Sequence, residues 1–173
     1  DYLIGLGHTR IACITGPPDQ TASDARFEGY RLAMSGAGLP LDRNIIEAAD
    51  FTQSGGYSAM NVVIGSRGAP SAVFACNDVM ALGAMRALRE AGLAVPADVS
   101  VVGFDGISMA EYVDPPLATV KQPIQELGRM AVQILIGRMS GGGGPAHCTL
   151  PVEFQPRDSV GPPRIGANAT GRG

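Results

Sequence analysis

Four residues with complementary hydrogen-bonding chemistry stand close behind short apolar runs: Arg26, Phe51, Asn77 and Asp105. A carboxylate only accepts, an amide donates and accepts, a guanidinium donates in a rigid fork, and a phenyl face covers C–H groups. Hydroxyls both donate and accept, so this mixture is what a pocket for a small polyol such as a sugar requires. Plainer roles exist for the same residues. Asp105 can close a turn with Gly106, Phe51 can be core beneath a loop, and Asp78 reads as the cap of the helix that follows Asn77.

Catalytic chemistry finds no support in the residues. No GxSxG, HExxH or GxxxxGK[ST] pattern occurs. Gly5-Leu6-Gly7 precedes its strand, the wrong order for a dinucleotide loop, and is expected to end a helix with Gly7 left-handed and His8 in the turn. Asp19 and Asp24 lie near Arg26 without a partner His or a metal cluster. Cys13, Cys76 and Cys148 are far apart, with only His8 and His147 as further ligands, so they read as reduced thiols in a reducing cytoplasm. Neither a metal nor a cofactor is implied.

The elements that must position these residues follow from the apolar pattern. Runs without alternation at 10–15, 45–48, 72–75 and 99–104 look like strands buried on both faces of a parallel sheet. Helical periodicity falls between them at 24–35, 54–64 and 79–91. Ser23 or Asp24 can cap the first helix and Ser54 the second, while Gly92 closes the third before Pro96. This alternation predicts an α/β fold with a three-layer, doubly wound parallel sheet. Arg26, Phe51, Asn77 and Asp105 then gather at the carboxyl ends of the strands, where such sheets bind ligands.

Past residue 106 the rhythm breaks. The stretch 107–117, with Asp114-Pro115-Pro116, is too stiff for helix and reads as a crossover or hinge. An extended run at 118–121 leads through Pro123 into an amphipathic helix over 124–139, ended by the glycines at 141–144. Residues 149–154 suit an edge strand because of Pro151, and 160–173 reads as a flexible tail whose sequon at 168–170 carries little weight.

The 173 residues are 45% hydrophobic and 17% charged, enough for one substantial core. A net charge of -3 with scattered Lys and Arg lacks the basic stripe of a nucleic-acid surface. No apolar stretch approaches a membrane span. Asp1-Tyr2-Leu3-Ile4 offers neither an initiator Met nor a leader, so the chain reads as an internal segment.

The ordered motifs LGHTRIACITGP, ARFEGYRLAMSGAGLP, DFTQSGGYSAM, PSAVFACNDVMALGAMRALREAGLAVPADVSVVGFDG, DPPLATVKQP and LGRMAVQILIGRM resemble the LacI/GalR family of transcriptional regulators over residues 3–159. Such regulators have a helix-turn-helix head, a hinge helix and a periplasmic-binding-protein-like core whose two lobes enclose an effector. The resemblance implies that 1–106 and 148–159 form the C-terminal lobe, 107–117 an interlobe crossover, and 118–141 a remnant of the N-terminal lobe, with the DNA-binding head absent. It places effector contacts on Arg26, Phe51, Asn77, Asp105 and Gln122, and a dimer surface on Leu82, Met85 and Tyr112. The implied partners are a small sugar-like effector, operator DNA through the missing head only, and a second copy of the chain. Where many relatives have paired acids, this chain has Asp105-Gly106. A periplasmic sugar-binding protein is the competing expectation, and an α/β enzyme the weaker one.

Overall fold

The computed structural model describes residues 1–140 and 148–164. The glycine turn at 141–144, His147 and the sequon at 168–170 lie outside the described residues.

A short helix α1 (Tyr2–Gly5) ends at Gly7, whose φ of +98° is left-handed as expected, and leads into β1 (Ile11–Thr15). Then follow α2 (Thr21–Gly36), β2 (Ile46–Ala48), α3 (Gln53–Gly65), β3 (Ala72–Ala75), α4 (Asp78–Glu90) and β4 (Ser100–Asp105). A 3₁₀ turn, Ser108–Glu111, precedes β5 (Ala118–Lys121), α5 (Ile124–Met139) and β6 (Glu153–Gln155), as another, Arg43–Ile45, precedes β2. One sheet results, in the order β2-β1-β3-β4-β5-β6. Its first five strands are parallel, and β6 runs antiparallel along β5. The order reverses direction between β1 and β3, and there the crevice of a doubly wound sheet opens.

Register divides the side chains between two faces. Cys13 is paired with Phe74, Phe74 with Val102, and Phe104 with Val120. Strand alternation puts this row on one face, together with Ile11 and Phe154. Arg26 and Tyr30 of α2 lie over it: the Arg26 guanidinium is 4.1 Å from the Phe104 ring centre, and the Tyr30 hydroxyl donates to the Ile11 carbonyl at 2.8 Å. Ala12, Ile14, Val73, Ala75, Val101 and Gly103 form the other row, packed under α3 and α4. The β1, β3 and β4 runs are buried on both faces, which is why they show no alternation.

Several expectations need correction. α2 starts at Thr21, three residues early, with Gln20 at its cap position and no side-chain bond there. The cap of α3 is Thr52 rather than Ser54: its hydroxyl accepts from the Gly55 amide at 3.0 Å. Residues 107–117 are not an interlobe crossover, because they join β4 to β5 within the same sheet and bury Ala110 and Leu117. β5 is likewise no remnant of another lobe, since Ala118–Lys121 pairs with Val102–Asp105 in continuous register. α5 differs, contributing no buried residue. Among the described residues, no helix is long and apolar enough to cross a membrane.

The segment after β6 is tied down up to the last described residues. Ser159 is fully buried: its backbone bonds Val101 and Pro116, and its hydroxyl takes the Ala118 amide at 2.8 Å while donating to the Val101 carbonyl at 2.6 Å. Gly161 exchanges two bonds with the Ser100 hydroxyl and accepts from His8 Nε2 at 2.8 Å. Arg164 pairs with Asp98 at 2.6 Å. Residues 160–164 therefore depart from the expected flexible tail.

His8 is buried, and burial holds its pKa below the usual histidine value, outweighing the bond to Gly161. The neutral ring with a proton on Nε2 satisfies both Gly161 and Ser71. A depressed folded-state value means that its contribution is complete above pH 6.5 and is lost as the pH falls and the unfolded chain takes up the proton first. Urea midpoints measured from pH 7 to pH 5.5 should decline in the wild type, and His8→Gln should flatten that decline.

Candidate functional site

At the carboxyl ends of β1, β3 and β4 the anticipated residues form one connected chain. Arg26, in the second turn of α2, donates to the Cys76 carbonyl at 2.5 Å and to Asp105 Oδ1 at 3.0 Å, while its plane covers Phe104. Gln122 donates to the same Asp105 oxygen at 2.7 Å. Asn77 follows Cys76 and donates to the Phe51 carbonyl at 3.1 Å. The structure thus brings Arg26, Asp105 and Gln122 together directly, and it links Asn77 and Phe51 to them through the Cys76–Asn77 step.

Asp105 sits at the end of β4 with φ +125°, a region disfavoured for a side-chain-bearing residue. Unbroken alternation would place it in the Gly103 row, on the α4 side. Its carboxylate instead meets Arg26, which belongs to the opposite face. Burial pushes the Asp105 carboxyl up, against the pull of Arg26 and the Gln122 amide, and nearby Asp78 adds to the rise. One guanidinium and one amide therefore hold a carboxylate that is poorly supplied with water.

Phe51 is the second strained residue, at φ +63°. Its ring lies so close to Gly16 that a Cβ there would overlap it, which accounts for glycine directly after β1. Asn77 is the cap of α4, accepting from the Met80 amide at 2.8 Å. Asp78, anticipated as that cap, is instead the first residue of α4 and is completely buried. The cap role read for Asp78 thus falls to Asn77: the amide caps α4 and holds Phe51 in place, and both its polar atoms are already engaged.

The departure at Asp105-Gly106 has a steric reason. Gly106 has φ +76°, and a Cβ would crowd the Lys121 backbone and side chain. This conformation leaves no room for a second acid. Asp50 Oδ1 accepts the Thr52 amide at 3.0 Å and the Thr52 hydroxyl at 2.6 Å, and these bonds hold its carboxyl below the usual range. Two features escaped the sequence: the Cys76 carbonyl, which no residue type could announce, and Phe104, which strand alternation could have placed under Arg26.

Arg26, Phe104 and Gln122 also line one end of an apolar groove of about 1020 Å³ across the α2 face, bounded by Phe74, Val102, Val120 and Phe154. Among the described residues, no group of three or more His, Cys, Asp or Glu is placed to hold a metal.

A family profile described as a periplasmic binding protein-like domain matches residues 1–160. The ribose operon repressor of Escherichia coli strain K12 is 48% identical over 139 residues, which is 80% of this chain and 42% of that protein. The chain belongs to the family of periplasmic binding protein-like domains. A complex of the transcriptional regulator CelR with cellobiose superposes on this chain with a TM-score of 0.89 at 39% identity, covering 92% of this chain and 49% of that one. A dimeric lac repressor gives a TM-score of 0.88 at 32% identity, covering 94% and 59%. The domain spans about two fifths of the length of the curated relatives it matches.

Of the three residues expected on a dimer surface, Tyr112 is 82% exposed, Leu82 is partly buried, and Met85 belongs to the core at 8%. Leu82 and Met85 line a groove of about 510 Å³ with Met109 and Val113, the last of these next to Tyr112.

Removing the guanidinium strips Asp105 of the cation that opposes burial. In Arg26→Met the Asp105 carboxyl should titrate at higher pH than in the wild type, as followed by carbon-13 NMR of the side-chain carboxyl.

Proposed function

We propose that this domain is the effector-sensing wall of a LacI-type transcriptional regulator, and that a small sugar binds at the rim formed by Arg26, Phe51, Asp105 and Gln122. One observation carries the reading: a fixed guanidinium fork, a carboxylate and an amide converge at the switch point of a parallel sheet, with an aromatic ring held nearby. Asn77 contributes by placing Phe51. A pentose is the first choice of effector, because the ribose operon repressor is the relative at 48% identity; the cellobiose complex supports sugars as the class. These relatives are repressors and regulators, which favours a regulator over a secreted sugar carrier or an enzyme.

The remaining parts of the switch are proposals on the same footing. Operator DNA is bound by a helix-turn-helix outside these residues, for the domain itself has a net charge of -3. α5 joins a second lobe across the effector cleft; its support is that Leu135, Ile136 and Met139 are exposed among the described residues. The effector binds the closed pair of lobes better than the open pair, and that difference in affinity is the free energy available to change DNA binding. Two copies pair through the surface that includes Leu82 and Tyr112, a reading supported by the dimeric lac repressor among its structural neighbours.

Saturating D-ribose should raise the thermal midpoint by several degrees, since a ligand at about a hundred times its Kd adds about 2.7 kcal/mol. Arg26→Lys, which keeps the charge and loses the fork, should bind about tenfold more weakly. If neither ribose nor any other polyol shifts the midpoint at the highest soluble concentration, the sugar reading fails. For the pairing surface, Leu82→Asp should convert a dimer to a monomer in sedimentation equilibrium, and an unchanged mass would rule that surface out.

A further inference from the structure

Asp78 is fully buried, and among the described residues none of its partners is a cation. An isolated carboxylate in such a place is costly unless donors surround it. Three do. Oδ2 accepts the backbone amides of Gly106 at 2.8 Å and Ile107 at 2.9 Å, and Oδ1 accepts the Thr119 hydroxyl at 2.5 Å. Room for Oδ1 exists because Gly103 has no side chain: a Cβ there would overlap it. The two amides belong to the residues immediately after Asp105. Thr119 lies on β5, two residues before the strand position paired with Asp105 and three before Gln122.

The helix does not need this carboxylate, since Asn77 already caps α4. Asp105, by contrast, holds φ +125°, and something must keep the chain beyond it from relaxing. We infer that Asp78 is a positioning residue for the effector site: its carboxylate grips the Gly106 and Ile107 amides from the α4 side and so turns Asp105 across the sheet edge onto Arg26 and Gln122. Adjacent residues at the start of α4 thereby place both strained members of the site, Asn77 through the Phe51 carbonyl and Asp78 through the amides after Asp105. The inference rests on the sugar reading only for its consequence in binding, because the placement of Asp105 is a property of the unliganded protein.

Two readouts on the full chain test it. Asp78→Asn keeps the side-chain size and one acceptor but loses the charge. In the unliganded variant, amide hydrogen exchange at Gly106 and Ile107 should accelerate by about tenfold or more, with movement of the Arg26 side-chain N–H signals, while Cys13 and Val101 in the sheet keep their protection. Unchanged Gly106, Ile107 and Arg26 would overturn the proposal; so would uniform loss across the sheet, which would mark Asp78 as general core support. Thr119→Val, which removes only the partner of Oδ1, should produce the same local pattern more weakly, so the question stays decidable if Asp78→Asn does not fold. In calorimetry with D-ribose, Asp78→Asn should weaken binding about tenfold in the wild-type background and less than about twofold when Asp105 is already Asn. Equal losses in the two backgrounds would show that Asp78 acts other than through Asp105, and would overturn the assignment. A wild type that binds no ribose would remove the sugar reading and leave hydrogen exchange to decide the placement of Asp105.

Discussion

The direction of the Asp105 carboxylate is the constraint around which this domain is arranged. A strand delivers side chains alternately to the two faces of its sheet, and Asp105 belongs by count to the α4 face while its partner Arg26 comes from α2 on the other. Reconciling the two requires a left-handed residue at the strand end, a glycine after it, and an α2 long enough to carry Arg26 over Phe104. A half-buried ion pair of this sort gives little net stability, because desolvation of both charges offsets much of their attraction. What it provides is orientation: the guanidinium fork is fixed by the Cys76 carbonyl on one side and Asp105 on the other, and the carboxylate by Arg26 and Gln122. Each of these groups is thereby held in one orientation by its neighbours.

Much of this was legible in the residues, for reasons that differ from element to element. IACIT, AVFA and SVVGFD could be read as strands because burial on both faces removes alternation, and α4 because a long apolar face ends in Gly92. The meeting of Arg26 and Asp105 could be anticipated because residues that follow parallel strands gather at one rim of the sheet. That Asn77 and not Asp78 caps α4 could not be read, since both are good caps and lie one residue apart; only the space left by Gly103 and the hydroxyl of Thr119 decides between them. β5 was extended in the sequence, but its membership of this sheet depends on hydrogen bonds to β4, which composition does not encode.

The two faces of the sheet are unequally covered. α3 and α4 close one side, whereas on the other α2 lies over the β1 end and leaves Phe74, Val102, Phe104, Val120 and Phe154 bordering an apolar groove. Gln122 stands where that groove, the polar rim and the start of α5 meet, with only Pro123 between it and the helix. The residue that bonds Asp105 is thus also the last residue of the sheet side before the chain leaves it.

The threading of Ser159 has a consequence for the order in which the domain can assemble. The amides of Val101 and Ala118 find their acceptors in a residue 58 and 41 positions later in the chain, and the His8 contact to Gly161 spans 153. During synthesis the first four strands emerge and can pair while these inner donors still lack partners. Closure of this part of the sheet waits for residues 157–161, and until they arrive the amides of Val101 and Ala118 have water in place of Ser159. Such long-range contacts tie the two ends of the chain into one sheet, in contrast to a stack of repeats that touch only their neighbours.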